Sequence, residues 1–128
     1  MHYNDLEYEL FARQFILKEF SEQTLSKLNK LKITIVGLGG IGCPLTQYLI
    51  SSGIKNLTII DGDKVEKSNL NRQILYSIED IGGKKADVSK FKLLKTNPHS
   101  NIKSYAYNLH SKNLSLLSKS SIVIDTTD

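Results

Sequence analysis

The sequence predicts an α/β fold with a mostly parallel sheet, flanking helices and an N-terminal helical arm. Short apolar runs rich in Val and Ile alternate with segments of helical periodicity over residues 32–124. A glycine-rich turn at 37–42 separates the first apolar run from the helical segment that follows it. With 128 residues, 40% hydrophobic and 23% charged, the chain has the size and composition of about one globular domain.

The first 30 residues predict the arm. Residues 5–28 carry apolar side chains at roughly helical spacing, and a break is expected near Ser21, where Ser-Glu-Gln-Thr resembles a helix start. Because this segment precedes the strand pattern, we divide the chain into a helical arm at 1–30 and a sheet domain at 31–128.

The sheet domain is predicted to alternate strands and helices. A strand–helix–strand unit of this kind is almost always right-handed and parallel. The polar stretch 62–82 has no sustained period, which favours a long functional loop or short helical turns. Doubly wound folds usually continue past four strands, so we expect an incomplete fold, the N-terminal portion of a longer domain. The predicted strands are 33–36, 57–60, 102–107 and 122–124, and the predicted helices are 41–52, 84–96 and 113–117.

Composition excludes several classes of protein. No apolar run approaches the roughly 20 residues that span a bilayer, and acidic residues stand where a signal peptide would be basic. The single cysteine, Cys43, excludes an internal disulfide and a cysteine-rich metal module. His2, His99 and His110 share no metal-ligand spacing. We therefore expect a cytoplasmic protein without a membrane partner.

Net charge is +4, and residues 82–128 hold eight lysines against three aspartates. This excess suits a phosphate-bearing ligand or nucleic acid, but a solvated lysine-rich helix face explains it better, and we expect no nucleic-acid partner. Only two of the 17 basic residues are arginines, Arg13 and Arg72, and each precedes a glutamine. A planar guanidinium with five donors suits a phosphate group, although two instances also arise by chance.

The glycine-rich turn fits the pattern G-x-G-x-x-G in a strand–turn–helix context, which indicates a Rossmann-like nucleotide-binding site. Gly37 would allow the tight turn, Gly39 the close approach of a phosphate, and Gly42 the packing of helix on strand. Gly40 adds another position without a side chain. Asp61 ends the second predicted strand at the spacing of an acid that binds ribose hydroxyls. The pattern alone leaves NAD, FAD and ATP open.

Further motifs narrow the choice of nucleotide. They are Arg13-Gln14, IVGLGGIGCP, NLTIIDGDKVEKSNLNRQILY, DIGGKKA, NPH at 97–99 and the final IDTTD. Through them, residues 13–128 resemble the ThiF/MoeB/HesA family of adenylyltransferases, relatives of the ubiquitin-activating enzymes. The resemblance implies ATP-dependent adenylation of the C-terminal glycine carboxylate of a ubiquitin-like sulfur-carrier protein ending in Gly-Gly. The products would be an acyl-adenylate and pyrophosphate, in molybdopterin or thiamine biosynthesis.

The resemblance also implies a role for each motif. Gly40 would lie against the nucleotide and Asp61 would bind its ribose. Lys85 would contact phosphate, and Asp128 would hold Mg²⁺. Zinc is implied only for residues beyond this chain. The segment that would line the phosphate side, with Asn69 and Arg72 as its main donors, comprises Ser68, Asn69, Leu70, Asn71 and Arg72.

Arg13 matches an arginine that, in the family, reaches into the site of the neighbouring subunit. The resemblance therefore implies a homodimer, with Arg13, Arg72 and Lys85 as the catalytic residues. The alternative for Arg13 is an ordinary surface position.

Other assignments also have structural alternatives. Asn69 and Asn71 would suit helix caps, and Arg72 a structural ion pair. Asp63 would suit a turn, which we favour, or a share in the ribose or metal role. Cys43 stands where a helix N-terminus can lower a thiol pKa, but we interpret it as a packing residue.

Two alternative functions remain open. A nicotinamide- or flavin-dependent oxidoreductase domain would share the glycine turn but has no γ-phosphate to bind, so it leaves the Arg72 and Lys85 motifs without a purpose. A non-catalytic nucleotide-binding module would keep the fold and lose the reaction. The intact Arg13, Arg72, Lys85 and Asp128 argue against such a loss.

Overall fold

A computed structural model describes residues 4–128, so His2 and the other two residues that begin the predicted arm lie outside the described residues. Eight regular elements follow one another along the chain. They are α1 (Asp5–Phe15), α2 (Glu22–Lys30), β1 (Lys32–Val36), α3 (Gly42–Ser51), β2 (Asn56–Ile60), α4 (Lys85–Thr96), β3 (Asn101–Tyr105) and β4 (Ile122–Asp125).

The four strands form one parallel sheet in the order β3-β2-β1-β4. This arrangement confirms the predicted α/β, Rossmann-like fold. The chain progresses from β1 to β2 and β3 on one side, and β4 then returns to pair with the other side of β1. Ligands of open parallel sheets bind beyond the carboxyl ends of the strands at such a reversal, so the topology places a binding crevice beside β1.

The core lies between the sheet and helices α3 and α4. Ile35 of β1 and Ile59 of β2 point into it, together with Ile50 of α3 and Leu93 of α4, and all four are fully buried. Helices usually cover the apolar side chains of the central strands of a parallel sheet in this way. The core therefore fixes β1, whose end leads directly into the glycine turn.

The helical arm divides where the sequence predicts. Ser21 accepts a hydrogen bond from the Thr24 N–H and begins α2 with a capping box, and Asn4 and Glu7 form the same motif at the start of α1. Phe11 of α1 and Leu25 of α2 form a small buried cluster of their own.

The arm is attached to the sheet domain at the end of α3 and the start of β2. The Gln14 side chain donates to the carbonyl oxygen of Ser52 at 2.9 Å, and Lys55 pairs with Glu7 at 2.6 Å. The division at residue 30 stays a prediction.

The irregular segments differ from expectation in small ways. The stretch 62–82 holds two 3₁₀ turns, Lys67–Asn69 and Ile78–Asp80, which agrees with the short-turn alternative. The predicted helix at 113–117 is a 3₁₀ turn over Leu114–Leu117. The third strand ends at Tyr105 rather than at residue 107, because β2, its only neighbour, ends there and the last bond runs from the Asp61 N–H to the Tyr105 carbonyl. Within residues 4–128, no helix is long and apolar enough to cross a membrane.

Candidate nucleotide-binding site

A cleft of about 750 Å³ opens beyond the carboxyl ends of β1, β2 and β4, where the topology predicts it. Most of the residues singled out from the sequence meet there, although they come from five separate stretches of chain. Of those predicted residues, the cleft is lined by Gly37, Gly39, Gly40, Asp61, Arg72, Lys85 and Asp128. Asp63, Gln73, Asn108, Leu109, Asp125 and Thr126 also line it.

The glycine turn is tight because two of its positions have no space for a side chain. Gly37 has φ +96°, a left-handed conformation that favours glycine. A methyl group at Gly42 would lie 2.1 Å from the carbonyl oxygen of Gly37, well inside a contact distance. Gly42 is buried behind the turn and does not line the cleft, whereas Gly39 and Gly40 face it. At Gly39 and Gly40 the turn thus presents backbone, without side chains, to a bound ligand.

Asp61 holds this turn with its carboxylate. One oxygen accepts the Leu38 N–H at 2.7 Å, and the other accepts the Asp63 N–H at 2.8 Å. Each carboxylate oxygen has a second lone pair, so both can still accept a hydrogen bond from a ligand hydroxyl. Asp61 is half-buried at the cleft wall. From this position it can contact a ribose and shape the turn at the same time.

Thr126 fixes the start of the turn from β4. Its hydroxyl donates to the carbonyl oxygen of Gly37 at 2.7 Å and lies 3.0 Å from that of Val36, while its N–H donates to the Val36 carbonyl oxygen at 2.8 Å. Sequence reasoning missed this role. The signal was present, because Thr126 belongs to the IDTTD motif directly after a predicted strand.

Arg72 extends over the open side of the cleft. Its Nη1 donates to the Ser68 carbonyl oxygen and the Asn71 side-chain oxygen, both at 3.1 Å, and its stem lies beside Gly40. No carboxylate among the described residues forms an ion pair with it. The guanidinium therefore stands at the cleft with its charge available to an anion.

Lys85, the first residue of α4, is the second cation of the cleft. Its side chain is only 7% exposed, and Nζ lies 3.6 Å from a carboxylate oxygen of Asp63, whose side chain is 71% exposed. A buried ammonium requires a partner of opposite charge, and an exposed carboxylate at 3.6 Å is a weak one. An anion in the cleft would complete the electrostatic environment of Lys85.

The other residues predicted for the phosphate side do not line this cleft: they are Ser68, Asn69, Leu70 and Asn71. The Asn69 side-chain oxygen accepts the Glu66 N–H at 2.8 Å and caps the 3₁₀ turn, in agreement with the structural alternative. The Asn71 side-chain oxygen accepts from Arg72. Their roles as nucleotide contacts stay predictions.

Arg13 is exposed on α1 and does not line the cleft of its own chain. This placement agrees with a role in a neighbouring subunit and equally with a plain surface position. Its predicted role therefore stays a prediction.

Gln73 is a cleft residue that sequence reasoning missed, although it stands next to Arg72 in the NRQ motif. It is 5% exposed, and its side-chain oxygen has no hydrogen-bond partner within the part of the chain described. An unsatisfied buried polar atom costs free energy, and a ligand with a hydrogen-bond donor would remove that cost.

The acidic residues at the end of β4 fit a magnesium ion. Asp125 and Asp128 both line the cleft. The Thr127 hydroxyl and N–H donate to Asp125 and hold the pKa of that carboxyl below its usual range. Mg²⁺ usually binds one or two carboxylates plus substrate phosphates, and residues 4–128 contain no cluster of three or more metal-ligating side chains. The donor set therefore fits a metal that arrives with a nucleotide.

Cys43 is fully buried behind the turn, where its thiol donates to the Leu38 carbonyl oxygen at 3.3 Å. Burial raises the pKa of this thiol, the opposite of what a nucleophile needs. The interpretation of Cys43 as a packing residue agrees with this environment.

Residues 11–128 match the sequence profile of the ThiF family. The chain belongs to the ThiF family. This membership confirms the resemblance seen in the motifs. Among curated ThiF-type relatives, the chain is 41% identical over 119 residues to the adenylyltransferase and sulfurtransferase MOCS3 of Drosophila virilis, covering 92% of this chain and 26% of that protein. It is 35% identical over 129 residues to the sulfur carrier protein adenylyltransferase of Thermus thermophilus, covering 100% of this chain and 48% of that protein.

Solved structures share the fold over nearly the whole chain. The E. coli tRNA N6-threonylcarbamoyladenosine dehydratase TcdA, in complex with ATP, superimposes with a TM-score of 0.91 at 28% identity, covering 100% of this chain and 53% of that one. E. coli MccB with ATP superimposes with a TM-score of 0.84 at 32% identity, covering 93% of this chain and 37% of that one. The ThiF-family chain thus spans between about a quarter and a half of the curated relatives it matches.

Proposed function

We propose that this chain forms the ATP-binding part of an adenylyltransferase that activates the C-terminal glycine carboxylate of a ubiquitin-like sulfur-carrier protein ending in Gly-Gly. The observation that carries the proposal is the convergence of the glycine turn, Asp61, Arg72 and Lys85 on one cleft. The names of the curated relatives and the ATP complexes of the structural neighbours support it.

The reaction needs no nucleophile from the protein. A carboxylate oxygen of the carrier attacks the α-phosphorus of ATP, and the bond between that phosphorus and the oxygen bridging to the β-phosphate breaks. The acyl-adenylate forms and pyrophosphate leaves with the electron pair. Catalysis then consists of holding the reactants in line and neutralising charge, which preorganised cations do well in a partly water-excluded cleft.

Each cleft residue has a part in this scheme. The glycine turn and Gly40 contact the nucleotide, Asp61 accepts hydrogen bonds from the ribose, and Arg72 and Lys85 neutralise the phosphates. The unsatisfied oxygen of Gln73 accepts a hydrogen bond from the bound ligand. Asp128, with Asp125 beside it, would hold Mg²⁺, whose chemistry is to neutralise charge on the phosphates.

The proposal extends to biological context. The carrier would be of the molybdopterin or thiamine type, and the protein would work in the cytoplasm. It would form a homodimer in which Arg13 of each subunit completes the site of the other. An oxidoreductase domain is the weaker candidate, since hydride transfer has no use for two cations grouped where a triphosphate would lie. A non-catalytic nucleotide-binding module would keep this cleft and lose the reaction, and the intact Arg72, Lys85 and Asp128 argue against it.

The test is exchange of radiolabelled pyrophosphate into ATP by the 128-residue chain with Mg²⁺, with and without a carrier protein ending in Gly-Gly. Carrier-dependent exchange is expected. In parallel, ATP at about 100 times its Kd should stabilise the fold by about 2.7 kcal/mol, and NAD at the same concentration should not. Saturable ATP binding without exchange would mean that the nucleotide-binding part is sound and that the reaction needs the rest of the enzyme, and a preference for NAD would overturn the proposal.

A further inference from the structure

The Tyr76 hydroxyl stands at a junction behind the cleft. Tyr76 is 6% exposed and does not line the cleft, so it does not touch the nucleotide site directly. Its O–H donates to the carbonyl oxygen of Leu38 at 2.8 Å. The hydroxyl oxygen of Ser89, on α4, lies 3.2 Å from the hydroxyl oxygen of Tyr76. None of the sequence motifs assigns a task to this hydroxyl.

Leu38 is the second residue of the turn, between Gly37 and Gly39, and its backbone is held on both sides. Asp61 accepts its N–H, while Tyr76 and Cys43 both donate to its carbonyl oxygen. The residues on either side, Gly37 and Gly39, have wide conformational freedom and would let this peptide unit rotate at little cost. The three hydrogen bonds therefore select one orientation of the turn out of several that the glycines allow.

The same hydroxyl joins segments that carry the two cations. Tyr76 belongs to the stretch that begins with Arg72, and its N–H donates to the Gln73 carbonyl oxygen at 3.2 Å. Ser89 lies one helical turn after Lys85 on α4. The turn, the Arg72 stretch and the helix of Lys85 thus meet within hydrogen-bond distance of a single atom.

Burial keeps this hydroxyl in its donating form. The desolvation of Tyr76 raises the pKa of its phenol well above the usual value. The proton is therefore retained across the physiological pH range, and the bond to Leu38 does not depend on pH there.

We propose that Tyr76 is a positioning residue, which sets the spacing between the glycine turn, Arg72 and Lys85 so that all three engage one triphosphate. The inference rests on the proposed function, because it assumes that the cleft binds ATP. It adds that the recognition of the phosphates depends on a hydroxyl that does not reach them.

The test is Tyr76→Phe, which keeps the ring and removes only the hydroxyl. Calorimetry should show ATP binding about three- to tenfold weaker, the effect of one lost hydrogen bond, with adenosine binding nearly unchanged. Tyr48→Phe is the matched control, since Tyr48 is 74% exposed, and it should change neither affinity. Equal losses for ATP and adenosine would indicate a merely structural role and overturn the inference.

A double-mutant cycle separates positioning from general stability. Lys85→Ala should weaken ATP binding. In the Lys85→Ala background, Tyr76→Phe should lower the affinity for ATP by a smaller factor than in the wild type, because one of the groups that Tyr76 positions is absent. Fully additive losses would contradict the inference. Ser89→Ala removes the second partner of the hydroxyl and should reduce ATP affinity selectively, even if Tyr76→Phe does not fold.

The two proposals fail in different ways. A wild-type chain that does not bind ATP refutes the proposed function and this inference together. A wild-type chain that binds ATP, with Tyr76→Phe binding it equally well, refutes only the role of Tyr76.

Discussion

Arg72 brings a planar cation to the cleft without an ion-pair partner among the described carboxylates, so its charge is free to act on phosphate. Arg72→Ala should lower pyrophosphate exchange by a factor on the order of 10²–10³, the usual loss for one preorganised donor. The melting temperature should change little because the side chain is exposed. Lys67→Ala, an exposed cation of the same stretch outside the cleft, serves as the control. A loss below about tenfold would remove Arg72 from the phosphate role.

Asp61 has a different expected signature, because it would bind the ribose and also hold the turn through the Leu38 N–H. Asp61→Ala should raise the KM for ATP and weaken adenosine binding alike, while the rate at saturating ATP changes little. Asp61→Asn keeps one oxygen to accept the Leu38 N–H and so separates ribose binding from the shape of the turn. Titration calorimetry with ATP and adenosine distinguishes these variants. Unchanged nucleotide affinity would count against ribose binding.

At this scale the sequence predicted the residues whose signals are local. The glycines and Asp61 follow a known spacing, and Arg72 and Lys85 lie in the motifs SNLNRQ and DIGGKKA. Thr126 and Tyr76 were missed, because their partners stand 89 and 38 residues away, respectively. The IDTTD motif draws attention to Thr126 but does not identify its partner, and nothing near Tyr76 indicates its contact with Leu38, because both contacts exist only once the strands have paired.

Between elements, the glycine turn packs against the start of α3 with no room for a side chain at Gly42. A methyl group at Gly42 would lie 2.1 Å from backbone that cannot move aside cheaply. Gly42→Ala should therefore lower the free energy of unfolding by about 1–3 kcal/mol, as overpacking usually does. Gly40→Ala is the matched control, since its nearest new contact is the flexible stem of Arg72 at 3.7 Å. Chemical denaturation measures both, and equal stabilities would contradict the packing argument.

The arm and the sheet domain are joined by a pH-sensitive contact. The hydrogen bond from Lys55 holds the pKa of Glu7 below its usual 4.5, with His99 acting in the same direction. A lowered pKa in the folded state adds stability that is present above the unfolded pKa and is lost as pH falls through the folded pKa. Glu7→Gln should therefore lower the melting temperature at neutral pH by a few degrees, and the gap should close below about pH 4. A gap that does not depend on pH would refute this origin.

The order of elements was predictable, and their ends were predictable to within one or two residues, except that α1 ends at Phe15, six residues before the predicted break at Ser21. Buried strands and capped helices have local patterns, so α2 begins after Ser21 as expected. The end of β3 was not predictable, since Ala106 and Tyr107 continue its pattern. The strand ends at Tyr105 because its neighbour β2 ends, a limit that lies in another part of the sequence.

For the whole molecule, the proposed homodimer makes Arg13 a residue of the partner's site. Arg13→Ala and Arg72→Ala should each be nearly inactive alone. Mixed and allowed to exchange subunits, they should recover about a quarter of wild-type exchange activity, because half of the dimers are mixed and each has one intact site. Pyrophosphate exchange after denaturation and joint refolding measures this. Mixing two samples of Arg72→Ala is the control, and no recovery would place Arg13 outside the partner's site.

The hydrogen bond from Thr126 to Gly37 has a consequence for how the protein is made. The glycine turn is translated early, but Thr126, one of the residues that fix it, is translated 89 residues after Gly37. At roughly 5–20 residues per second, this interval lasts about 4–18 s. During that time ATP has no finished site to bind, and so it cannot assist the nascent chain. Nucleotide-dependent protection from protease should therefore appear abruptly, when β4 joins the sheet, rather than grow with chain length.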